Sequence, residues 1–433
     1  MAIMNRLSRR ISASAIIFAL VFSFLTLTEA RAELPPRKTY KFINGQWFDG
    51  RKFERRVFYS VDGVLTAKQP RKIDEVIDLK GGYVVPPFGD AHNHYISGPG
   101  NIDASLNHYL KDGILYVKNP SSIPRDTNQI KGRINKPDSV DVVFSNGVLA
   151  TSGGHPVALY EKTLSKFRKP GPDGTFENLA YYIIDSEADL EKKWPRILAD
   201  KPDFIKTNLL YSEEYERRRG DPAFFGVRGM NPKLLPLIVA RAHENNLRVS
   251  CHIETATDFR IALAAGIDEI NHLPGYYPDF AGTQASQYPI NEEDAAMAAR
   301  KRVVVVTTTY VSEAELKTPD EKSRAREIQA RNLRLLHKAG VKIALGPDVY
   351  GVTSLAEAMN LYELKAFDNL ELLKMWCETT VETIFPNRKI GHLKEGYEAS
   401  FLVLGGNPID SFESVKDIRL RFKQGYFITL EDK

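Results

Sequence analysis

Eight short apolar runs recur through the middle of this chain, at 84–88, 114–117, 142–144, 204–206, 248–251, 269–271, 303–307 and 342–345. Segments with a helical pattern lie between most of them. One covers 186–199, a second opens with Asn231-Pro232 and runs to 245, and a third covers 257–265 before Gly266. Two more cover 292–300 and 319–339, the last stopped by Gly340. Proline near a helix start and glycine just past its end suit the unpaired amides and carbonyls of helix termini. Strands alternating with helices build a parallel sheet, and eight such units predict an α/β fold of the (β/α)8, TIM-like barrel type. The pattern weakens after the second and third runs, where no helix is evident. Residues 156–180 read as an insertion there, with Lys169-Pro170-Gly171-Pro172-Asp173-Gly174 as a turn-rich loop. A loop of that length either covers a site or is plain surface.

The two ends of the chain have a different character. Asn44-Gly45, Asp49-Gly50 and Asp62-Gly63 are hairpin signals within 38–85. The stretches 399–404, 418–422 and Gln424-Gly425-Tyr426 repeat that character near the C-terminus. Chain ends often lie close together. Residues 33–85 and 391–433 are therefore expected to pair into one small sheet domain, with 86–390 as the barrel.

Residues 1–32 read as a secretory signal peptide. Arg6, Arg9 and Arg10 precede an apolar or small stretch from 11 to 28, and Ala30-Arg31-Ala32 fits a small-x-small cleavage site. An uncleaved membrane anchor is the alternative, because the run approaches spanning length. Cleavage predicts a secreted or periplasmic protein with no stable membrane association. It removes four basic residues and one acidic residue, taking the net charge from +4 to +1. The basic balance is thus no argument for nucleic acid as a partner. Cys251 and Cys377 are expected to be free thiols, since Cys251 sits inside an apolar run as a small hydrophobe.

Polar residues of one chemical kind punctuate the ends of the runs. His92 and His94 follow the first, in Gly89-Asp90-Ala91-His92-Asn93-His94. Side chains at i and i+2 of a strand share a face, so a strand here would aim two imidazoles at one point. Neutral imidazole is a common zinc ligand. Lys206, His252, His272 and Asp348 end the fourth, fifth, sixth and eighth runs. In a (β/α)8 barrel the reacting groups come from those C-terminal strand ends. The other reading of Asp348 is the N-cap of a helix over 349–365. His108, His243, His337 and His392 fall in helical patterns or after a turn and read as exposed or capping.

As an ordered set, Gly89 to His94, Asp203-Phe204-Ile205-Lys206, Cys251-His252, Asn271-His272, Gly346-Pro347-Asp348 and Asn407-Pro408-Ile409 carry a resemblance. The chain resembles the amidohydrolase superfamily of metal-dependent hydrolases, in its imidazolonepropionase-like and prolidase-like branch. The resemblance covers nearly all of the mature chain. It implies a deformed barrel with a small β-sandwich made from both chain ends. It also implies a binuclear metal centre, usually zinc, with His92, His94 and Asp348 on one metal and His252 and His272 on the other. Lys206, N6-carboxylated by carbon dioxide, would bridge them. The implied activity is hydrolysis of an amide or peptide-like C–N bond in a small molecule by a metal-activated hydroxide.

The chemistry is coherent with that set. A lysine ammonium cannot ligate a metal; desolvation depresses its pKa, and the carbamate of the neutral amine is an anionic oxygen donor. Asp348 can accept the nucleophile's proton and deliver it to the departing nitrogen. Two features depart from the family's pattern. Pro86-Pro87 stands where one proline is usual. Deaminase-like members carry a glutamate three residues after the fifth-strand histidine; Thr255 holds that position here, and Glu254, one residue earlier, reads as a solvated loop carboxylate. This favours hydrolysis over the alternatives, a mononuclear deaminase or a non-catalytic metal- or ligand-binding barrel. His155, Tyr211, Arg228 and Tyr276 lie on expected rim loops as substrate contacts, with Arg228 suited to a bidentate grip on a carboxylate. A dipeptide or N-acyl amino acid would suit such a site; a lactone, cyclic imide or phosphotriester stays open, as does a homo-oligomer.

Overall fold

The apolar run at 84–88 is two strands rather than one. Tyr83–Val85 belongs to a sheet built by the chain ends, and Phe88–Asp90 opens the barrel. Pro86 and Pro87 between them have no amide hydrogen to give to a ladder, so neither sheet can continue through them. The computed structural model describes residues 35–279 and 284–430; the signal peptide expected at 1–32 lies outside the described residues. Residues from Arg37 onward form one compact unit.

Strands from both ends of the chain share one eight-stranded sheet. Tyr83–Val85 pairs in parallel with Tyr40–Phe48 and antiparallel with Phe401–Leu404. Its buried face is aromatic. The rings of Phe42 and Phe401 meet edge-on at 4.9 Å, and Phe42 meets Phe422 at 5.2 Å. Lys423, fully buried, donates to the Lys136 and Ser139 carbonyls and to Asp141 Oδ1 at 2.6 to 2.7 Å. Asp141 also receives Arg388, whose other nitrogen reaches Glu398.

The parallel strands follow in chain order. Phe88–Asp90, Ile114–Asn119 and Asp141–Phe144 form one sheet. Val148–Ala150, Ile205–Asn208, Val249–His252, Glu269–Asn271, Val304–Val306 and Lys342–Ala344 form the next, with Tyr181–Ile183 on its outer edge. Asp141–Phe144 and Val148–Ala150 are two pieces of the third strand position, so the eight expected strands are all present. Single backbone hydrogen bonds join the sheets: Ala91 N to the Leu345 carbonyl, and Asp203 N to the Phe144 carbonyl, both at 2.8 Å.

Helices fill the intervals where capping chemistry asks for them. Ser186 caps Glu187–Ala199, and Thr255 with Asp258 forms a capping box on Ala256–Ala265. Gly266 ends that helix at φ 84°, a left-handed conformation that glycine adopts without a Cβ clash. A seven-residue helix, Pro124–Ile130, follows the second strand. It shows no apolar stripe in sequence because Asp126 and Thr127 are among its buried residues. Between the third strand and Tyr181–Ile183 come the wide turn Leu159–Thr163 and the tight turn Leu164–Lys166, inside the expected insertion, before the helix Glu187–Ala199.

Candidate active site

Asp90 fixes the turn that carries the first pair of histidines. The strand stops at Asp90, so His92 and His94 stand in the turn beyond it and not on a strand face as expected. The buried Asp90 carboxylate accepts from the His92 amide, Asn93 Nδ2 and the Ser354 amide at 3.0 to 3.3 Å. The backbone of the eighth strand approaches closely from the other side: a Cβ on Gly346 would lie 2.4 Å from His92 N. Asp348 N then donates to the His92 carbonyl at 3.1 Å.

His92, His94, Lys206, His252, His272 and Asp348 all line one cavity of about 620 Å³. The His92 ring lies 5.4 Å from His94 and 4.8 Å from His272, and His252 lies 4.2 Å from His272. Asp348 Oδ1 is 3.1 Å from His94 Nε2 and 3.4 Å from His92 Nε2, and Oδ2 is 3.8 Å from His272 Nδ1. The three ligand atoms offered by His92, His94 and Asp348 lie within 4.8 Å of one another. Asp348 is not a helix cap: Thr353 caps Ser354–Leu364. Asp348 at φ 50° and His272 at φ 77° hold backbone conformations that side chains rarely adopt, of a kind that clusters at functional sites.

Burial sets the charge state of the imidazoles. It drives His92 and His272 well below the usual histidine range and His252 down to about 3. These rings are neutral and keep a lone pair for a ligand, so their contacts with Asp348 are not ion pairs. His92 Nδ1 and His272 Nε2 are buried with no hydrogen-bond partner. Buried polar atoms are nearly always paired. The opposite nitrogens of the same rings, His92 Nε2 and His272 Nδ1, face Asp348, and neutral imidazoles with a carboxylate are a donor set that a zinc-like cation takes. Lys206 lies 4% exposed, and burial lowers its amine to about 8. Its Nζ donates to Asn271 Oδ1 at 2.6 Å.

The expected substrate contacts divide. Tyr276 and His155 line the cavity. The Tyr276 ring stacks on His272 at 4.2 Å, and His155 stacks on His252 at 4.8 Å. Tyr211 and Arg228 do not line it. Tyr211 is buried behind it under the Arg218 guanidinium, at 3.9 Å. Arg228 donates through Nε and Nη1 to the Gly153 and Arg219 carbonyls, bracing its loop. Arg168 is the guanidinium in the cavity wall, bonded to Ser97 and Asp126. Sequence reasoning passed over it because it sits in the insertion, whose Leu159, Tyr160 and Leu164 also line the cavity. The insertion thus covers the site.

Glu254 is not a solvated carboxylate. It is 8% exposed, lies 2.9 Å from His252 Nε2 and accepts from the Tyr276 hydroxyl at 3.2 Å. Burial pushes it up to about 8. Its place two residues past His252 was the available signal. The remaining histidines lie away from the cavity beside carboxylates: His108 with Asp112, His243 with Asp268, His337 with Glu371 and His392 with Glu378 and Glu382. Both cysteines are buried and free.

Residues 221–425 match the sequence profile of the Amidohydrolase family. Over that segment the chain is similar to the amidohydrolase superfamily. The chain is 29% identical over 195 residues to the ochratoxinase of Aspergillus niger, a match covering 42% of this chain and 38% of that protein. It therefore spans about two fifths of the length of the curated relative. The crystal structure of A. niger ochratoxinase superposes with a TM-score of 0.70 at 18% identity, over 90% of this chain and 95% of that one. A Xaa-Pro dipeptidase with methionine bound in its active site superposes at 0.66 and 17% identity, over 90% and 99%. The fold common to them is a TIM-like α/β barrel with an added domain. No helix among the described residues is long and apolar enough to cross a membrane.

Proposed function

We propose that this chain hydrolyses a carbon–nitrogen bond, amide or peptide-like, in a small molecule, using two divalent cations, zinc by preference. His92, His94 and Asp348 would hold one and His252 and His272 the other, with carboxylated Lys206 shared between them. The observation that carries this reading is the convergence of neutral imidazoles and Asp348 on one cavity, with His92 Nδ1 and His272 Nε2 unpartnered. Bound there, such cations acidify water and polarise a carbonyl. The names of the similar proteins, an ochratoxinase and a Xaa-Pro dipeptidase, support the same bond class.

The chain's own residues do the rest. Asp348 accepts the attacking water's proton and delivers it to the amide nitrogen as the C–N bond breaks. The insertion excludes bulk water from the cavity, which strengthens every charge interaction inside it. Arg168 and Ser97 offer donors to a substrate carboxylate, while Ile123, Leu159, Leu164 and Val311 offer an apolar wall. A dipeptide or an N-acyl amino acid with a bulky apolar group meets both demands.

We further propose that residues 1–32 are removed on export, placing the mature protein outside the cytoplasm, in the periplasm or beyond. The boundary between the small β domain (33–85 and 391–433) and the barrel (86–390) is set at Pro86-Pro87. A mature N-terminus at Glu33, read by peptide mass spectrometry, checks the first of these.

The decisive experiment is a hydrolysis screen of dipeptides, N-acyl amino acids and lactones with zinc supplied, alongside metal analysis. Release of free amino acid, lost on chelation and regained with zinc at about two metals per chain, is the expected result. Turnover untouched by complete metal removal would overturn the reading. Ammonia release with one metal per chain would favour a mononuclear deaminase instead.

A further inference from the structure

We propose that Asn271 is a positioning residue: its side-chain oxygen holds the Lys206 nitrogen so that a carbamate formed on it faces the histidine cluster. This rests on the reading of Lys206 given above. The geometry is a buried polar layer beneath the cavity. Asn271 Oδ1 accepts from Lys206 Nζ at 2.6 Å, and Asn271 Nδ2 donates to Glu269 Oε1 at 2.8 Å. Lys118 Nζ meets the same Glu269 oxygen at 2.6 Å. Ser250 Oγ lies 2.8 Å from both Glu269 Oε1 and Asn271 Oδ1. All five residues are at most 4% exposed. Glu269 and Asn271 share a face because they are two apart on one strand.

That layer leaves the amide one orientation. Turned over, it would set Oδ1 against the Glu269 carboxylate and an N–H against the Lys206 amine. Lys118 faces a carboxylate, whereas Lys206 faces an uncharged amide oxygen. In the carboxylation step the amine lone pair forms a bond to the carbon of carbon dioxide. A C=O π pair moves onto oxygen, and one nitrogen-bound proton leaves to solvent. The product nitrogen keeps a single hydrogen. With that hydrogen committed to Asn271 Oδ1, the planar nitrogen directs its bond to the carboxylate carbon away from Asn271, with one oxygen syn and one anti to the N–H.

The test uses the full-length protein and two variants, Asn271→Leu and Ser250→Ala. The carbamate carbonyl is read by NMR after equilibration with 13C-bicarbonate. Zinc affinity is read by competition with a chelator. We expect Asn271→Leu to lose most of the carbamate signal and to bind zinc about 10- to 100-fold more weakly, the usual cost of losing an outer partner of a ligand. Raising bicarbonate should recover part of that affinity, which a merely structural role would not produce. Ser250→Ala should move both readouts the same way and less. A lowered melting temperature with wild-type carbamate and affinity overturns the proposal. So does an unchanged Ser250→Ala if Asn271→Leu fails to fold. A wild-type protein that binds zinc without any carbamate signal fells the Lys206 reading itself and this inference with it, a result distinct from the other two.

Discussion

Lys206 and Lys423 are both buried lysines, and the contrast between them separates a site from a strut. Lys423 sits where the terminal sheet meets Asp141–Phe144. Each of its three ammonium hydrogens has an acceptor, and one of these is a carboxylate. Lys206 donates to an amide oxygen and opens onto a cavity. Among the described residues three lysines are buried, and Lys206 is the one with no carboxylate within 4.0 Å. Burying a charge without a full set of partners is costly. The proposed reaction would make use of such a position. The same division runs through the histidines: His92 and His272 have unpartnered nitrogens, whereas His392 stands between two glutamates.

The contrast is tested most severely at Asp348, on the open side. Asp348→Asn removes the proton acceptor while keeping shape. Asparagine tolerates the φ of 50° at this position at least as well as aspartate. We expect hydrolysis to fall about 100- to 10,000-fold with an unchanged melting temperature. If turnover survives, Asp348 is not the proton carrier.

The two lysines themselves come next. Lys423→Met strands Asp141 and two carbonyls, and should cost about 3 kcal/mol of stability, the scale for breaking a buried pair from one side. Lys206→Met should leave the metal-free protein within about 1 kcal/mol of wild type, because an apolar isostere relieves a buried group of its desolvation. Urea denaturation of both variants, paired with zinc titration, reads this directly. Equal losses in both would erase the distinction drawn above.

Arg168 sharpens the comparison from the substrate side. It is partly paired, with Asp126 and Ser97, yet it lines the cavity. Arg168→Ala should raise KM about 10-fold for a carboxylate-bearing substrate, the scale of one charge-assisted hydrogen bond. A substrate lacking the carboxylate should show no such change. Arg228→Ala should leave KM alone, since Arg228 braces its loop through the Gly153 and Arg219 carbonyls and does not line the cavity.

How far the sequence could be read follows from this division. The cavity's histidines, Lys206 and Asp348 were legible because metal chemistry restricts residue type, and apolar runs mark where strands end. Their alternation with capped helices announced the strand order. Arg168 was not legible, because its position depends on how the irregular turns of the insertion fold, and those turns have no period. Arg228 looked equivalent in sequence; only its hydrogen bonds to carbonyls remove it. Glu254 was misread because a carboxylate two residues past a strand end gives no sign of its own burial. The break in the run at 84–88 was written in Pro86-Pro87, but the apolar residues on both sides masked it.

The smallest expected effect lies at His392, in the saturated class. Hydrogen bonds to Glu378 and then Glu382 raise it to about 9, from an ordinary 6.5. A histidine with a raised folded pKa binds its proton more tightly when folded. Its contribution is therefore complete below pH 6.5 and is lost as pH rises through about 9. With its side chain 28% exposed, solvent screening reduces this to roughly 1 kcal/mol. Melting temperatures of wild type and His392→Gln should differ at pH 6 and converge near pH 10, two values set on either side of that window. His252, lowered to about 3 by burial, has the opposite sign: in the metal-free protein it weakens the fold as pH drops below the ordinary histidine range. A gap between wild type and His392→Gln that persists to the alkaline end would mean that packing, not charge, holds His392 in place.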